Sequence, residues 1–425
     1  MPVKKDFVIS NPSGYPRDDY VELDLNSLEV PTGMDENSLR LFRQFKDGTK
    51  LEIPYQIDYI LGKDKGRRFL TFYSENTSPS GTDRYDKISE RFSLEEGNPQ
   101  NHLTPDIKKN LWVEHFYKDN ISEGNRRYHE GSQIIGVKLN NKRIRFFLCL
   151  VPYPGPGKKS GINYAGAVTN LELKDLSASG AFSDEMLAFD LNYAPKRWGQ
   201  LTQIAFCPLP WQLEDFEEIS LLDKKCELVY SKSGPIRAVI TLKVGPLTVI
   251  CNGKPLFNTG PVEIKCYIYR IIYVYKDGPF YTEELIAETC EGTSMSFRPY
   301  FSSLISYPSW RSELKRFEEI PDYFSIWKYF AEQNRGFGFA ADAHVRHIQL
   351  DGDELRWRLP FSHHNKCIHY FMYHGYTPNY NIDLFHAIGH NGWYERVFKP
   401  LELTPYRKRF PAPRVDDYER GEKIF

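Results

Sequence analysis

Ile236-Arg237-Ala238-Val239-Ile240-Thr241-Leu242-Lys243-Val244 is the stretch whose reading decides the fold. In an extended chain, successive side chains point to opposite faces, so Ile236, Ala238, Ile240, Leu242 and Val244 share one apolar face. Branched residues suit such a pleated, half-buried surface. Val262, Ile264, Cys266 and Ile268 repeat the pattern. Lys276-Asp277-Gly278-Pro279 then turns the chain into Phe280–Glu288, which alternates again. These runs exceed the usual strand of about five or six residues, and they predict a large sheet or stacked sheets.

Outward from this centre the same period recurs. Leu39, Leu41, Arg43 and Phe45 alternate, Lys46-Asp47-Gly48-Thr49 supplies a turn, and Leu51, Ile53, Tyr55 and Ile57 alternate after it. An Asp-Gly turn between two alternating runs is a strong hairpin signal. Arg67 to Ser74 reads as a further strand, and residues 74–110 as a long surface loop. Ile134–Leu139 and Ile144–Val151 pair across Asn140-Asn141. Ile348–Leu350 and Leu355–Leu359 form a hairpin around Asp351-Gly352-Asp353. One helix is predicted: Tyr323, Phe324, Trp327 and Phe330 make an i, i+1, i+4, i+7 stripe, with Asp322 as N-cap and Gly336 beyond its end.

The expected fold is all-β. A small N-terminal β-barrel-like domain over residues 1–105 is followed by a large β-supersandwich over 106–425, ending in a Pro- and Arg-rich tail. A length of 425 residues suits two such domains. With 55 basic and 56 acidic residues the net charge is −1, which argues against bulk nucleic-acid or membrane affinity. No run reaches the roughly 18 apolar residues of a membrane helix. Met1-Pro2-Val3-Lys4-Lys5-Asp6 leads into no apolar stretch, so the expected location is the cytoplasm, or outside the cell if a leader has been removed. Seven cysteines, an odd number with no C-x-x-C pair, predict reduced and mostly buried thiols.

There is no phosphate-binding glycine loop, no H-E-x-x-H and no G-x-S-x-G, which counts against nucleotide hydrolysis, zincin proteolysis and α/β-hydrolase chemistry. The densest polar constellation is Trp112-Val113-Glu114-His115-Phe116-Tyr117, followed by Asn125-Arg126-Arg127-Tyr128-His129-Glu130. It holds a base, an acid and a carboxylate clamp within eighteen positions, or it is a hairpin with a solvated polar face. Gly161-Ile162-Asn163-Tyr164-Ala165-Gly166 is a small-residue loop carrying a tyrosine, or an ordinary turn. Eight of eleven histidines follow residue 343, at spacings that fit no compact metal motif. Among them His363 and His374, with Tyr376, are candidate groove residues. No metal or other cofactor is expected.

Two stretches carry a family resemblance. Asn11-Pro12-Ser13-Gly14-Tyr15-Pro16-Arg17-Asp18-Asp19-Tyr20-Val21-Glu22-Leu23, with Ile53-Pro54-Tyr55-Gln56-Ile57-Asp58 after it, resembles the small N-terminal barrel of several carbohydrate-active families. Ser233-Gly234-Pro235-Ile236-Arg237-Ala238-Val239 and the long strands beyond it resemble the β-supersandwich of mutarotase-like and lyase domains. Together they are similar to the exo-rhamnogalacturonan lyase-like group, without the α/α-toroid found in that larger family. The resemblance implies β-elimination on a uronate-containing polysaccharide or oligosaccharide.

Residue chemistry then supplies roles that no family motif transfers. Arg126 or Arg127 would neutralise the uronate carboxylate, His115 or His129 would take the proton, and Tyr128 or Tyr164 would protonate the leaving oxygen. Trp112, Arg126, His363, His374 and Tyr376 would bind substrate. The alternatives are a glycoside hydrolase using two carboxylates, with Glu114, Glu130, Asp342 and Asp383 as candidates, or a non-catalytic sugar-binding protein.

Overall fold

The computed structural model describes residues 4–11, 17–45, 47–62, 67–77, 90–98, 112–117, 134–141, 144–149, 167–174, 182–187, 199–208, 217–220, 226–251, 262–276, 280–289, 297–306, 318–319, 325–330, 335–341, 346–351, 354–359, 364–373 and 402–403. The chain divides into two compact units. The first comprises Met1–Asp58, Gly66–His102 and Lys399–Phe425, and the second Tyr59–Lys65 and Leu103–Phe398. Among the described residues the secondary structure is strand throughout, apart from one 3-10 turn at Glu36–Ser38, and every pairing is antiparallel. The fold is all-β. No helix among the described residues is long and apolar enough to cross a membrane.

The first unit contains β1 (Lys4–Ser10), β2 (Arg17–Asp24), β3 (Leu39–Gln44), β4 (Lys50–Glu52), β5 (Tyr55–Asp58), β6 (Phe69–Thr77) and β7 (Glu90–Glu96). The second runs from β8 (Trp112–Tyr117), β9 (Ile134–Asn140), β10 (Ile144–Cys149), β11 (Ala167–Lys174), β12 (Phe182–Leu187), β13 (Gly199–Pro208) and β14 (Glu217–Ser220) to β15 (Cys226–Ser233), β16 (Arg237–Cys251), β17 (Val262–Tyr275) and β18 (Phe280–Thr289). It continues through β19 (Phe297–Ser306), β20 (Glu318–Glu319), β21 (Ser325–Phe330), β22 (Arg335–Ala341), β23 (Arg346–Asp351), β24 (Glu354–Leu359) and β25 (His364–Tyr373). The chain returns to the first unit at β26 (Glu402–Leu403).

In the first unit a five-stranded sheet, ordered β26-β1-β7-β3-β4, shares one core with a three-stranded sheet, β2-β6-β5. Phe7, Phe92 and Phe72 meet at its centre, the first two stacked with ring centroids 5.6 Å apart. Burying each such side chain contributes roughly 1.5–3 kcal/mol. The Tyr55 hydroxyl donates to the Leu39 carbonyl at 2.6 Å and so ties the two sheets together.

The expected Asp-Gly hairpin is present. Gly48 takes φ +86°, and the Asp47 carboxylate accepts from Thr49 N at 2.9 Å. Its second strand is not one continuous run, however. Pro54 interrupts it, β4 stays with β3, and β5 crosses to pair with β6. Leu51 is accordingly exposed, while Tyr55 and Ile57 are buried. The split leaves two open sheets face to face, and no closed barrel forms among the described residues. Residues 74–110 are not all loop either, because β7 lies between β1 and β3 and buries Phe92 and Leu94.

The second unit holds a ten-stranded sheet and an eight-stranded sheet, the latter ordered β15-β16-β17-β18-β25-β22-β21-β20. Ile236, Ala238, Ile240, Leu242 and Val244 are all buried, as the alternation predicts. Of the helix expected over residues 323–330, Ser325–Phe330 is instead β21, paired with β20 and β22, and residues 323–324 lie outside the described residues. Ile326, Trp327, Tyr329 and Phe330 are strong strand formers, and a ready partner in β22 overrides a stripe shorter than two and a half helical turns. Cys226 forms no disulfide; the other six thiols lie outside the described side chains.

Candidate functional site

Of the residues singled out in the sequence, Trp112 and His115 lie on β8, opposite Asn140 and Val137 of β9. Three positions apart, they have opposite strand parity. Arg126, Arg127, Tyr128, His129, Tyr164, His363, His374 and Tyr376 lie outside the described residues, as do Glu130, Asp342 and Asp383.

A different polar constellation is built by β15 to β18. Tyr267-Ile268-Tyr269-Arg270-Ile271-Ile272-Tyr273-Val274-Tyr275 alternates around β17, so that four tyrosines share one face. Register places Arg237 and Lys243 of β16 on the same face, opposite Tyr275 and Tyr269, and Glu284 and Glu288 of β18 on it, opposite Ile271 and Tyr267. Each cation leans over the tyrosine two positions before its register partner. The Arg237 guanidinium carbon is 4.2 Å from the Tyr273 ring centroid, and Lys243 Nζ is 3.9 Å from that of Tyr267. Phenols continue the same diagonal onto β18. Tyr273 donates to Glu284 Oε2 at 2.6 Å, and Tyr269 donates to Glu288 Oε2 at 3.0 Å. The result is a ladder in which a cation, a tyrosine and a carboxylate recur twice along the sheet.

The two ends of the ladder differ in access. At one end Arg237, Tyr273 and Glu284 are buried, Asn141 Nδ2 donates to the Tyr275 carbonyl at 2.6 Å, and Thr241 Oγ1 donates to the Ile60 carbonyl. At the other end Lys243, Tyr267 and Glu288 are half-buried and Glu227, opposite Lys243, is exposed. Just beyond Lys243, β16 carries a bulge between Val244 and Leu247, where Gly245 adopts φ +128°, a conformation that excludes a side chain. Burial pushes the Tyr269 phenol above its ordinary range, and its hydrogen bond to Glu288 and the Glu227 charge reinforce the shift. Tyr269 therefore stays a proton donor toward Glu288.

The opposite face of β17 is apolar except for Arg270, which is fully buried and donates from Nε to Glu283 Oε1. Burial opposes the charged guanidinium, but the Glu283 carboxylate, aided by Tyr281, holds the pKa above its ordinary value. This pair is structural and the open end of the ladder is the candidate site. Among the described residues no group of three His, Cys, Asp or Glu side chains is placed to hold a metal ion. In the sequence the apolar parity of these strands dominates the pattern and masks the polar one. The available signal was Tyr267, Tyr269, Tyr273 and Tyr275 on one parity, with Lys243 and Glu288 on the flanking strands.

The sequence matches no protein-family model and no curated protein. Among solved structures, the chain is similar to an alpha-mannosidase from Enterococcus faecalis V583, at 11% identity and a TM-score of 0.44, over 87% of this chain and 43% of that one. It is also similar to a glycosyl hydrolase family 38 protein from Enterococcus faecalis, at 10% identity and a TM-score of 0.41, over 87% and 44% of the two chains. The chain spans less than half the length of either structure, and a likeness of this degree carries no conclusion about activity.

Proposed function

We propose that the chain is a carbohydrate-active enzyme that hydrolyses a glycosidic bond, with the open end of the tyrosine ladder as its saccharide platform. The carrying observation is Tyr267, half-buried, with Lys243 Nζ over its ring and the Tyr269-bound carboxylate of Glu288 as its register partner. A pyranose offers an apolar C–H face and a rim of hydroxyls. The Lys243 ammonium over one face of Tyr267 and the Glu288 carboxylate beside it match the hydroxyl rim, and the other face of the ring is the one left for the C–H face.

The charge balance favours hydrolysis over elimination. β-Elimination needs the uronate carboxylate neutralised, whereas this platform sets one lysine against Glu227 and Glu288 and so repels an anionic sugar. The test is a panel of neutral and uronate-containing oligosaccharides, read for reducing sugar and for the ultraviolet absorbance of an unsaturated product. Reducing sugar without new absorbance is expected, with Tyr267→Ala lowering kcat/KM about tenfold. An unsaturated product with Tyr267→Ala fully active would overturn this reading and return attention to His115, Arg127, Tyr128, His129 and Tyr164.

A further inference from the structure

We infer that the outer edge of β4 docks a second copy of this chain, antiparallel and across a two-fold axis through Leu51. Among the described residues β4 ends the five-stranded sheet, with β3 as its neighbour on one side. Three large apolar side chains are exposed among the described residues, Phe45, Leu51 and Tyr73, and two of them stand at this edge. Leu51 is 53% exposed and Phe45 42%. Leu51 pairs with Arg43, and Phe45 follows two positions later, closing the turn by donating from N to the Thr49 carbonyl at 2.9 Å. Both apolar side chains therefore share one face of the hairpin.

The backbone and the charges specify the partner. Ile53 N donates to the Leu41 carbonyl at 2.9 Å, so residues 49, 51 and 53 turn their peptide groups toward β3. Alternation then turns those of Lys50 and Glu52 outward. A two-fold axis at Leu51 sets Lys50 opposite the partner's Glu52, a position at which paired residues exchange both backbone hydrogen bonds. Leu51 meets its own copy at the closer kind of position, where Cα atoms are about 4.5 Å apart. Charges on so short an edge discourage most strands, but Lys50-Leu51-Glu52 complements itself when run antiparallel. The side chains of Lys50 and Glu52 already bond to Glu95 and Arg40, each at 2.5 Å, and the pairing joins these two ion pairs to those of the partner. A contact built on three-residue strands falls below the roughly 1,200 Å² of a standard interface, so it forms and dissociates with concentration.

The experiment is sedimentation velocity on the intact chain from about 1 μM to about 1 mM, a span chosen for a weak interface. The sedimentation coefficient should climb from the monomer value toward that of a dimer. Leu51→Lys sets two ammonium groups face to face at the axis, so it should stay monomeric throughout, with unchanged melting because position 51 is exposed. Leu51→Cys, oxidised at high concentration, should give a covalent dimer linked through position 51, since the Cα separation there suits a disulfide. Thr49→Cys, exposed on the same face, should not link, because its two copies lie four residues apart in register, about 13 Å. Peptide mapping separates these links from any made by the seven native cysteines. A monomer at every concentration with no link at position 51 overturns the proposal. So does a dimer that Leu51→Lys leaves intact, or a link through position 49 in place of 51.

Discussion

Arg270 stands between Ile268 and Ile272 on the apolar face of β17, where its bond to Glu283 compensates the buried charge. Removing one partner of a buried pair leaves the other charge without compensation. Arg270→Met should therefore cost about 3–5 kcal/mol in urea unfolding, and adding Glu283→Leu should restore most of it. A surface pair behaves differently. Lys50 bonds to Glu95 at 2.5 Å and, more than any other cause, holds the Glu95 carboxyl below its ordinary pKa. A depressed carboxylate stabilises the fold above its unfolded pKa, and that contribution is lost as pH falls through the lower folded value. Lys50 is at the surface and Glu95 is half-buried, so Lys50→Met should cost only about 0.2–1 kcal/mol near neutral pH. The difference from wild type, followed by unfolding at successive pH values, should shrink as pH falls below the ordinary glutamate range and vanish once Glu95 is protonated in the folded state. Arg270 was visible in the sequence as a charge among isoleucines. Glu283 was not identifiable as its partner, because that choice depends on the register of β18 against β17.

At the scale of elements, the tight connection between β9 and β10 depends on one side chain. Asn141 Oδ1 accepts from Ile144 N at 2.7 Å, while Nδ2 donates to the Tyr275 carbonyl at 2.6 Å. Asn141→Ala removes both bonds and should cost about 1–3 kcal/mol, because the partners it abandons are buried. Asn141→Asp keeps the acceptor and loses the donor, so its unfolding midpoint should fall between those of wild type and the alanine variant. This hairpin was legible in the sequence because an Asn-Asn pair separates two alternating runs. β21 carries a misleading pattern, because four aromatics over eight residues satisfy a helical stripe, and six strand residues are too few to show a period of two unambiguously. β7 was missed for another reason. Phe92 and Leu94 are too few apolar residues to stand out within a polar stretch, yet β1 and β3 bury both. Of the candidate site only the tyrosine parity of β17 is legible, because its other residues come from separate strands and only register sets Lys243, Glu227 and Glu288 on the same face as Tyr267.

At the scale of the whole molecule, an all-β architecture was legible from its long alternating runs, since period-two patterning over ten or more residues admits little else. The return of the chain to its first unit was not, because the two residues of β26 carry no period. Ile9 and Ser10 of β1 nevertheless take Leu403 and Glu402 as partners. This pairing has a consequence for synthesis. A ribosome adds about 5–20 residues per second, and roughly three hundred residues separate β7 from β26. For about 15–60 s, then, a nascent chain can hold β1, β3, β4 and β7 while the outer margin of β1 still waits for its last neighbour. An open strand margin invites pairing with whatever extended chain comes near, and on a polysome the most abundant such chain is another copy at the same stage. Any chaperone that attends this protein should be needed most in that interval, and at that margin.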